Sequence, residues 1–197
     1  MCIRDSTCLG YIEPPTTESC TIGTTNLALG KTATQSTTAS GGVSGRAIDG
    51  NTDGRWNNGS VTHTINSAQN GWWQVDLGEI QNIEKITLWN RTDACCVDRL
   101  SDFYVFVSDT PFSSNDPATT AGQPTVWNQH IPSLEEASIS VFPGRSGRYV
   151  RVQVQGTVPL SLAEVEIFGC EATAGSCLLY TSPSPRDATL SRMPSSA

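Results

Sequence analysis

Short apolar runs with a period of two set the pattern of this chain. WWQVDLG (72–78), IEKITLWN (83–90), SDFYVFVSD (101–109), ASISVF (137–142), RYVRVQVQG (148–156) and LAEVEIFG (162–169) are rich in β-branched and aromatic residues and bounded by Gly, Pro, Asn or Asp. Alternation is clearest where Val150, Val152 and Val154 interleave with Arg151, Gln153 and Gln155, a spacing that sends the valines to one face of a strand. No stretch holds a 3.6-residue apolar stripe. The pattern predicts an all-β fold, an antiparallel β-sandwich of jelly-roll type. The polar stretch PFSSNDPATTAGQP (111–124) reads as a long surface loop, and there is no internal repeat.

The two ends change the domain picture. MCIRDS (1–6) and Cys-Leu-Leu-Tyr-Thr-Ser (177–182) can be encoded by opposite strands of one short duplex, the pattern of a sequencing adapter read in both directions. Residues 1–6 and 177–197 are therefore set aside from fold reasoning. Both methionines, Met1 and Met193, fall in these ends, so the rest is expected to be an internal piece of a longer protein. Residues 7–20 have the Pro and Thr content of an interdomain linker, 21–170 form the domain, and 171–176 begin a second linker. Roughly 170 residues suit a single full core.

Charge and cysteines set the partners and the compartment. Leaving out Arg4, Arg186 and Arg192 from 12 basic residues, and Asp5 and Asp187 from 19 acidic ones, gives 9 against 17, a net charge of minus 8. An acidic chain of this kind is not built for nucleic acid or an anionic membrane. No apolar run approaches the ~20 residues of a membrane span, so membrane insertion is not expected. Among Cys8, Cys20, Cys95, Cys96 and Cys170, a Cys20–Cys170 bridge would tie the two ends of the domain together. That usage implies an oxidising, secreted setting, against the alternative of reduced thiols in a cytosolic protein.

Two stretches carry candidate chemistry. AIDGNTDGRWNNGS (47–60) starts like an EF-hand loop, with Asp49, Asn51, Asp53 and Gly54 at matching offsets, but Ser60 stands where a bidentate Glu belongs. It is not an EF-hand. Its oxygens suit either a Ca²⁺ ion completed from elsewhere in the fold or a metal-free turn of Asx and Gly residues.

NRTDACCVDRL (90–100) contains adjacent cysteines, which can bridge each other only through an eight-membered ring. Such a ring pushes its peptide toward a cis or strongly twisted form at a cost on the order of 3 kcal/mol. It removes almost no chain entropy in return, so its use is a small, rigid, apolar plate. Arg91 and Arg99 bring forks of donors, with Asp93 and Asp98 placed to orient and partly neutralise them. An apolar plate beside converging donors matches a deoxysugar; the bland alternative is a surface loop with Arg–Asp pairs and two free thiols.

NLALGKTATQS (26–36), AIDGNTDGRW (47–56), the HT of VTHT (61–64), WWQVDLG, NRTDACCVDRLSDFYVFVSD, RYVRVQ and LAEVEIFG together resemble the F-type lectins, the fucolectin family of discoidin-like, fucose-binding jelly rolls. The match runs from about Asn26 to Gly169. The resemblance implies that His63, Arg91 and Arg99 bond the ring oxygen and hydroxyls of α-L-fucose, including its axial O4. It implies that a Cys95–Cys96 disulfide packs on the sugar ring, with Asp93 in the same motif and Trp56 bordering the C6 methyl. It also implies Ca²⁺ held by Asp49 and Glu164, with oxygens from Arg46, Asn51, Ser60 and Ala163, positioning the site without touching sugar.

Two departures stand out. Five residues, Ala94 to Asp98, separate Asp93 from Arg99 where the family usually has four, and Val61 and Ala163 occupy the positions of a cysteine pair that some members carry. His130 has no motif around it and reads as structural. Asn58 and Asn90 open formal glycosylation sequons; a glycan on Asn90 would crowd the pocket, so that sequon is expected to be unused.

The expected function is thus a secreted, non-catalytic, calcium-containing domain that recognises terminal α-fucose on glycans, with neighbouring modules or copies adding avidity. Two alternatives are a targeting module of a larger glycoside hydrolase or adhesin and a discoidin-like protein or lipid binder. No carboxylate pair suggests glycosidase chemistry within the domain, a protein or lipid binder has no use for Cys95 and Cys96, and a redox role lacks CxxC spacing.

Overall fold

The computed structural model describes residues 21–134 and 136–171, with eight strands and one short helix. The strands are β1 (Thr21–Asn26), β2 (Thr32–Gln35), β3 (Trp72–Asn90), β4 (Ser101–Ser108), β5 (Trp127–Ser133), β6 (Ser138–Val141), β7 (Arg145–Val154) and β8 (Leu162–Glu171); the helix is α1 (Pro117–Ala121). The fold is the expected all-β sandwich. The linker segment 7–20, the proposed partner Cys20 and both adapter-like ends lie outside the described residues.

One long strand organises the two layers. Its first half pairs with β2 and β7, Trp73 standing opposite Gln35 and Val152. Its second half pairs with β6 and β8, Leu88 standing opposite Ile139 and Val165. The sequence pattern suggests two strands here, 72–78 and 83–90, and the structure joins them. Between them the register shifts at Asp76/Gln81, and Gly78 adopts φ of +87°, which a residue with a side chain rarely tolerates. A second shift, at Ile83/Lys85, brings Ile83 into the same buried set as Ile86 and Leu88, which plain alternation would have separated.

The core lies between the halves: Trp73, Val75 and Leu77 with Ile86 and Leu88 of β3, Phe103, Val105 and Val107 of β4, and Val150, Val152 and Val154 of β7, all fully buried. Each such side chain contributes about 1.5–3 kcal/mol by leaving water. Strands β1, β2 and β5, which the pattern does not predict, bury few apolar side chains and carry little of that signal.

The 111–124 segment is more than a surface loop. Asp116 caps α1 by accepting from the Thr119 amide, and the segment covers the polar face of β7. Arg151, placed by alternation on the open side of the strand, is 3% exposed. It donates to Ser114 O (2.7 Å) and Gln74 Oε1 (3.0 and 3.2 Å) and lies 4.8 Å from the Trp72 ring centre and 4.4 Å from that of Phe112. Gln153, also buried, donates to Asn70 O and Asn115 O. Both faces of β7 are therefore interior.

Candidate functional site

The residues singled out in the sequence gather beside the C-terminal end of β3, on loops fixed from behind. Residues 62–64 run along 160–162: the Thr62 and Thr64 amides donate to Leu162 O (2.8 Å) and Leu160 O (3.0 Å). Their hydroxyls accept in return from the Leu162 (3.0 Å) and Leu160 (2.8 Å) amides. Extended backbone turns alternate side chains opposite ways, so tying both threonines to 160–162 leaves His63 facing away. Gly42 closes against it, its carbonyl accepting from the His63 amide (2.9 Å). A Cβ on Gly42 would lie 2.6 Å from that nitrogen, so any side chain there displaces the histidine.

Arg91 is placed with similar economy. Asn90 is buried, and its amide nitrogen donates to Val97 O and Leu134 O at 3.0 Å each, closing the loop that follows β3. That nitrogen has no room for a glycan in the folded domain, a physical reason for the expectation that the sequon is unused. Gly54 lies against the same turn: its carbonyl accepts from the Thr92 amide, and a Cβ there would lie 2.6 Å from Asn90 O. Asp93 Oδ2 then accepts from Arg91 Nε (2.7 Å) and from the Trp56 amide (2.9 Å), linking the two loops. The Arg91 guanidinium sits 5.1 Å from the Trp56 ring centre, and Trp56 meets His63 edge-on at 5.5 Å.

Cys95 and Cys96 are bonded to each other, Cys95 exposed and Cys96 buried. No cis peptide occurs among the described residues, and the two Cα atoms are 3.8 Å apart, as across a trans bond. Of the two forms expected, cis or strongly twisted, the cis one is not adopted: the ring closes around a trans peptide. Arg91 Nη2 lies 3.6 Å from Cys95 Sγ.

Arg99 reaches His63, its Nη1 2.8 Å from Nε2. The other ring nitrogen, Nδ1, touches Thr64 O. A carbonyl only accepts, so Nδ1 carries the proton and Nε2 is the lone-pair nitrogen that Arg99 bonds. Burial pushes the His63 pKa below its usual value, and the charges of Arg99 and Arg91 act the same way. The imidazole is neutral. Asp98, expected to orient and partly neutralise Arg99, is exposed and makes no ion pair among the described residues; its charge still acts on Arg99, while the histidine is the acceptor that Arg99 bonds.

The residues proposed for calcium line the far side of the same loops. Arg46 belongs to a 3-10 turn, Ser44–Ile48, that ends on Asp49. Asp49 Oδ1 accepts from the Asn51 amide (2.9 Å), and Glu164 Oε1 from the Gly50 amide (3.1 Å). Ser60 and Ala163 are buried, and the Ser60 hydroxyl donates to Asp53 O. Glu164 is fully buried and its Oε2 has no hydrogen-bond partner. Burial, with the neighbouring Asp49 charge, raises its pKa to about 7. A buried carboxylate oxygen left without a donor is costly and fits a hard cation. No group of three or more His, Cys, Asp or Glu side chains gathers among the described residues, so main-chain oxygens would have to complete the shell.

The sequence did not point to Gly42, Gly54, Thr62, Thr64 or Asn90, which hold the others in place. Glycines and threonines are common in loops, and only the close approaches single these out.

Comparison with known proteins places this arrangement. A family described as NedA-like, galactose-binding domain matches residues 46–152. Fucolectin-1 of Anguilla japonica is 36% identical over 152 residues, which cover 72% of this chain and 79% of that protein. The solved lectin domain of lectinolysin, complexed with Lewis B antigen, is 44% identical with a TM-score of 0.65, covering 74% of this chain and 97% of that one. A Streptococcus pneumoniae fucose binding module is 38% identical with a TM-score of 0.63, covering 73% and 96%. Fold and site together define a galactose-binding-like β-sandwich of the F5/F8 type C class. Within that class, the chain belongs to the fucolectin, or F-type lectin, family.

Proposed function

We propose that this domain binds the terminal α-L-fucose of glycans, with a calcium ion fixing the loops beneath the site. The observation that carries the reading is the convergence of a lone-pair nitrogen, His63 Nε2, with the donor forks of Arg91 and Arg99 beside the Cys95–Cys96 plate. A hydroxyl is the group such a trio suits: it can donate to the imidazole while its oxygen accepts from guanidinium N–H groups. An axial hydroxyl on a sugar with one C–H face would put that face on the disulfide, and Trp56 would border the methyl of a 6-deoxysugar.

Asp93 positions the site without contacting sugar, since its Oδ2 already holds Arg91 and the Trp56 amide. The structure supports the calcium reading through the orphaned Glu164 oxygen, and Asp49, Asn51, Ser60 and the main-chain oxygens of Arg46 and Ala163 are the other candidate ligands. Calcium would neutralise the buried carboxylate and brace the turn that carries Trp56. A single monosaccharide site binds weakly, which suits use in an array of modules or copies at fucosylated surfaces.

A glycan array probed with the folded chain tests the assignment. Signals confined to terminal α-fucose are expected, with D-galactose as the informative control because it also has an axial O4 but belongs to the opposite configurational series and carries CH2OH in place of the methyl. A folded protein that binds neither, or prefers galactose, overturns it.

A further inference from the structure

The geometry points to a second element of the site: Arg46, beside Trp56, accepts an anionic substituent, a sulfate ester or a sialic acid carboxylate, on the sugar next to the terminal fucose. This inference rests on the fucose-binding reading above.

It starts from charge. Two guanidiniums approach the Trp56 ring, Arg91 at 5.1 Å and Arg46 at 5.6 Å from its centre, and a third, Arg99, bonds the His63 that meets Trp56 edge-on. Among the described residues, Arg91 alone of the three makes an ion pair, with Asp93. Arg99 bonds a neutral imidazole; burial and the like charge of Arg91 lower its pKa, and the nearby Asp98 charge offsets only part of this. The chain as a whole carries a net charge of −7. This patch thus runs against the sign of the molecule that bears it. With Asp93 paired to Arg91 and the Asp98 charge acting on Arg99, the excess left on this patch is that of Arg46, which a neutral deoxysugar does not compensate.

Arg46 is the part of that excess that the fucose contacts do not need. Its Nη1 donates to Val61 O (3.1 Å), and its remaining donors have no acceptor among the described residues. The side chain is half-buried, so it is held in place yet reachable. The Val61 carbonyl restrains it two residues before His63, and the open position at Gly59 leaves only hydrogen beside Nη2. A guanidinium fixed by one bond, with spare N–H groups at the rim of a sugar site, suits the planar pairing that carboxylates and sulfates accept.

Binding of the full chain to three probes tests this: a neutral α-fucosylated trisaccharide, the same trisaccharide sulfated on the neighbouring galactose, and the same one sialylated there. The expected result in low salt is tighter binding of one or both anionic forms, about 3- to 10-fold, with the preference vanishing near ~1 M NaCl. The anionic-to-neutral affinity ratio should fall to about one in Arg46→Gln and only partly in Arg46→Lys. A ratio cancels any change in neutral binding that the variant causes. The sulfated and sialylated arms tell which anion fits. A ratio of one in the natural chain, or one that Arg46→Gln leaves unchanged, overturns the inference while fucose binding stands. If the neutral probe fails to bind, the fucose reading falls and this inference with it.

Discussion

Arg91 and Arg151 are both buried arginines packed on a tryptophan, yet they occupy opposite kinds of environment. Arg151 is enclosed: Trp72 and Phe112 flank its guanidinium, Gln74 and the Ser114 carbonyl take its donors, and the 111–116 segment closes over it. No carboxylate pairs with it among the described residues, and burial lowers its pKa to about 10. Arg91 is held by a single carboxylate at Nε, and its other edge turns toward Cys95 Sγ and the neighbouring Arg99 and His63. Burial by itself does not distinguish a staple from a site. What distinguishes them is whether the donors are spent on the protein's own carbonyls or directed at a surface that also bears an exposed sulfur and a lone-pair nitrogen.

The largest effects should separate these two arginines. Arg91→Ala is expected to weaken fucose binding at least about 100-fold, because it removes a charged donor and frees Asp93. Arg151→Ala should leave fucose affinity within about twofold. It should cost about 2–4 kcal/mol of stability by orphaning Gln74 and the Ser114 carbonyl, a fall in Tm of roughly 5–15 °C for a domain of this size. Isothermal titration and thermal melts on both variants read the difference. If Arg151→Ala lost binding at an unchanged Tm, the contrast would be wrong.

Both roles are only partly written in the sequence. The strands that build the core are legible because they are runs of β-branched and aromatic residues, several of them alternating, whereas β1, β2 and β5 are short or polar edges whose order comes from their neighbours. Alternation in 148–156 named the buried valines correctly but implied that Arg151 and Gln153 face water; only the tertiary placement of the 111–116 segment shows otherwise. Arg91, Cys95, Cys96 and His63 stood out because they are unusual in kind or spacing. Their supports did not: a Gly42 that must be glycine because His63 lies 2.6 Å from its missing Cβ looks like any loop glycine. The Asp98 reading holds only in part, since its charge acts on Arg99 but the orienting contact is made by His63.

Calcium offers the next sharpest division. If Glu164 Oε2 faces a calcium ion, saturating the protein at ~100 times the dissociation constant adds about 2.7 kcal/mol. Hydrogen exchange should slow at 46–64, on the Arg91 side, and remain unchanged at 111–116. Glu164→Gln should abolish the calcium-induced rise in Tm. A rise that survives this substitution, or no rise at all, removes the ion from the proposal.

A smaller effect is expected from the disulfide. Cys95→Ala with Cys96→Ala should weaken fucose binding about tenfold through the lost apolar contact. Because the ring spans no chain, Tm should move by no more than ~2 °C. A large Tm loss with intact binding would assign the bridge to stability and place Cys95 and Cys96 with the staple at Arg151.

The smallest effect is on pH, and its sign follows from His63. Its folded pKa lies below the ordinary 6.5 because burial and the Arg99 and Arg91 charges disfavour the cation. The unfolded chain therefore binds more protons than the folded one between those two values, and stability present above pH 6.5 is lost as pH falls through the folded pKa. Protonation would also remove the Nε2 lone pair that holds Arg99 and set a third positive charge beside two guanidiniums. In saturating calcium, which would keep Glu164 ionised, fucose affinity should thus be flat from pH 8 to 6.5 and decline only below that, by up to about tenfold per pH unit past the folded pKa. The Arg151 side has no titrating partner in that range and should show no exchange or chemical-shift change there. Imidazole resonances followed by NMR alongside affinity test this directly: a His63 that titrates at or above 6.5, or binding that strengthens in acid, would mean that the histidine meets the sugar as a cation and that Arg99 is positioned by something else.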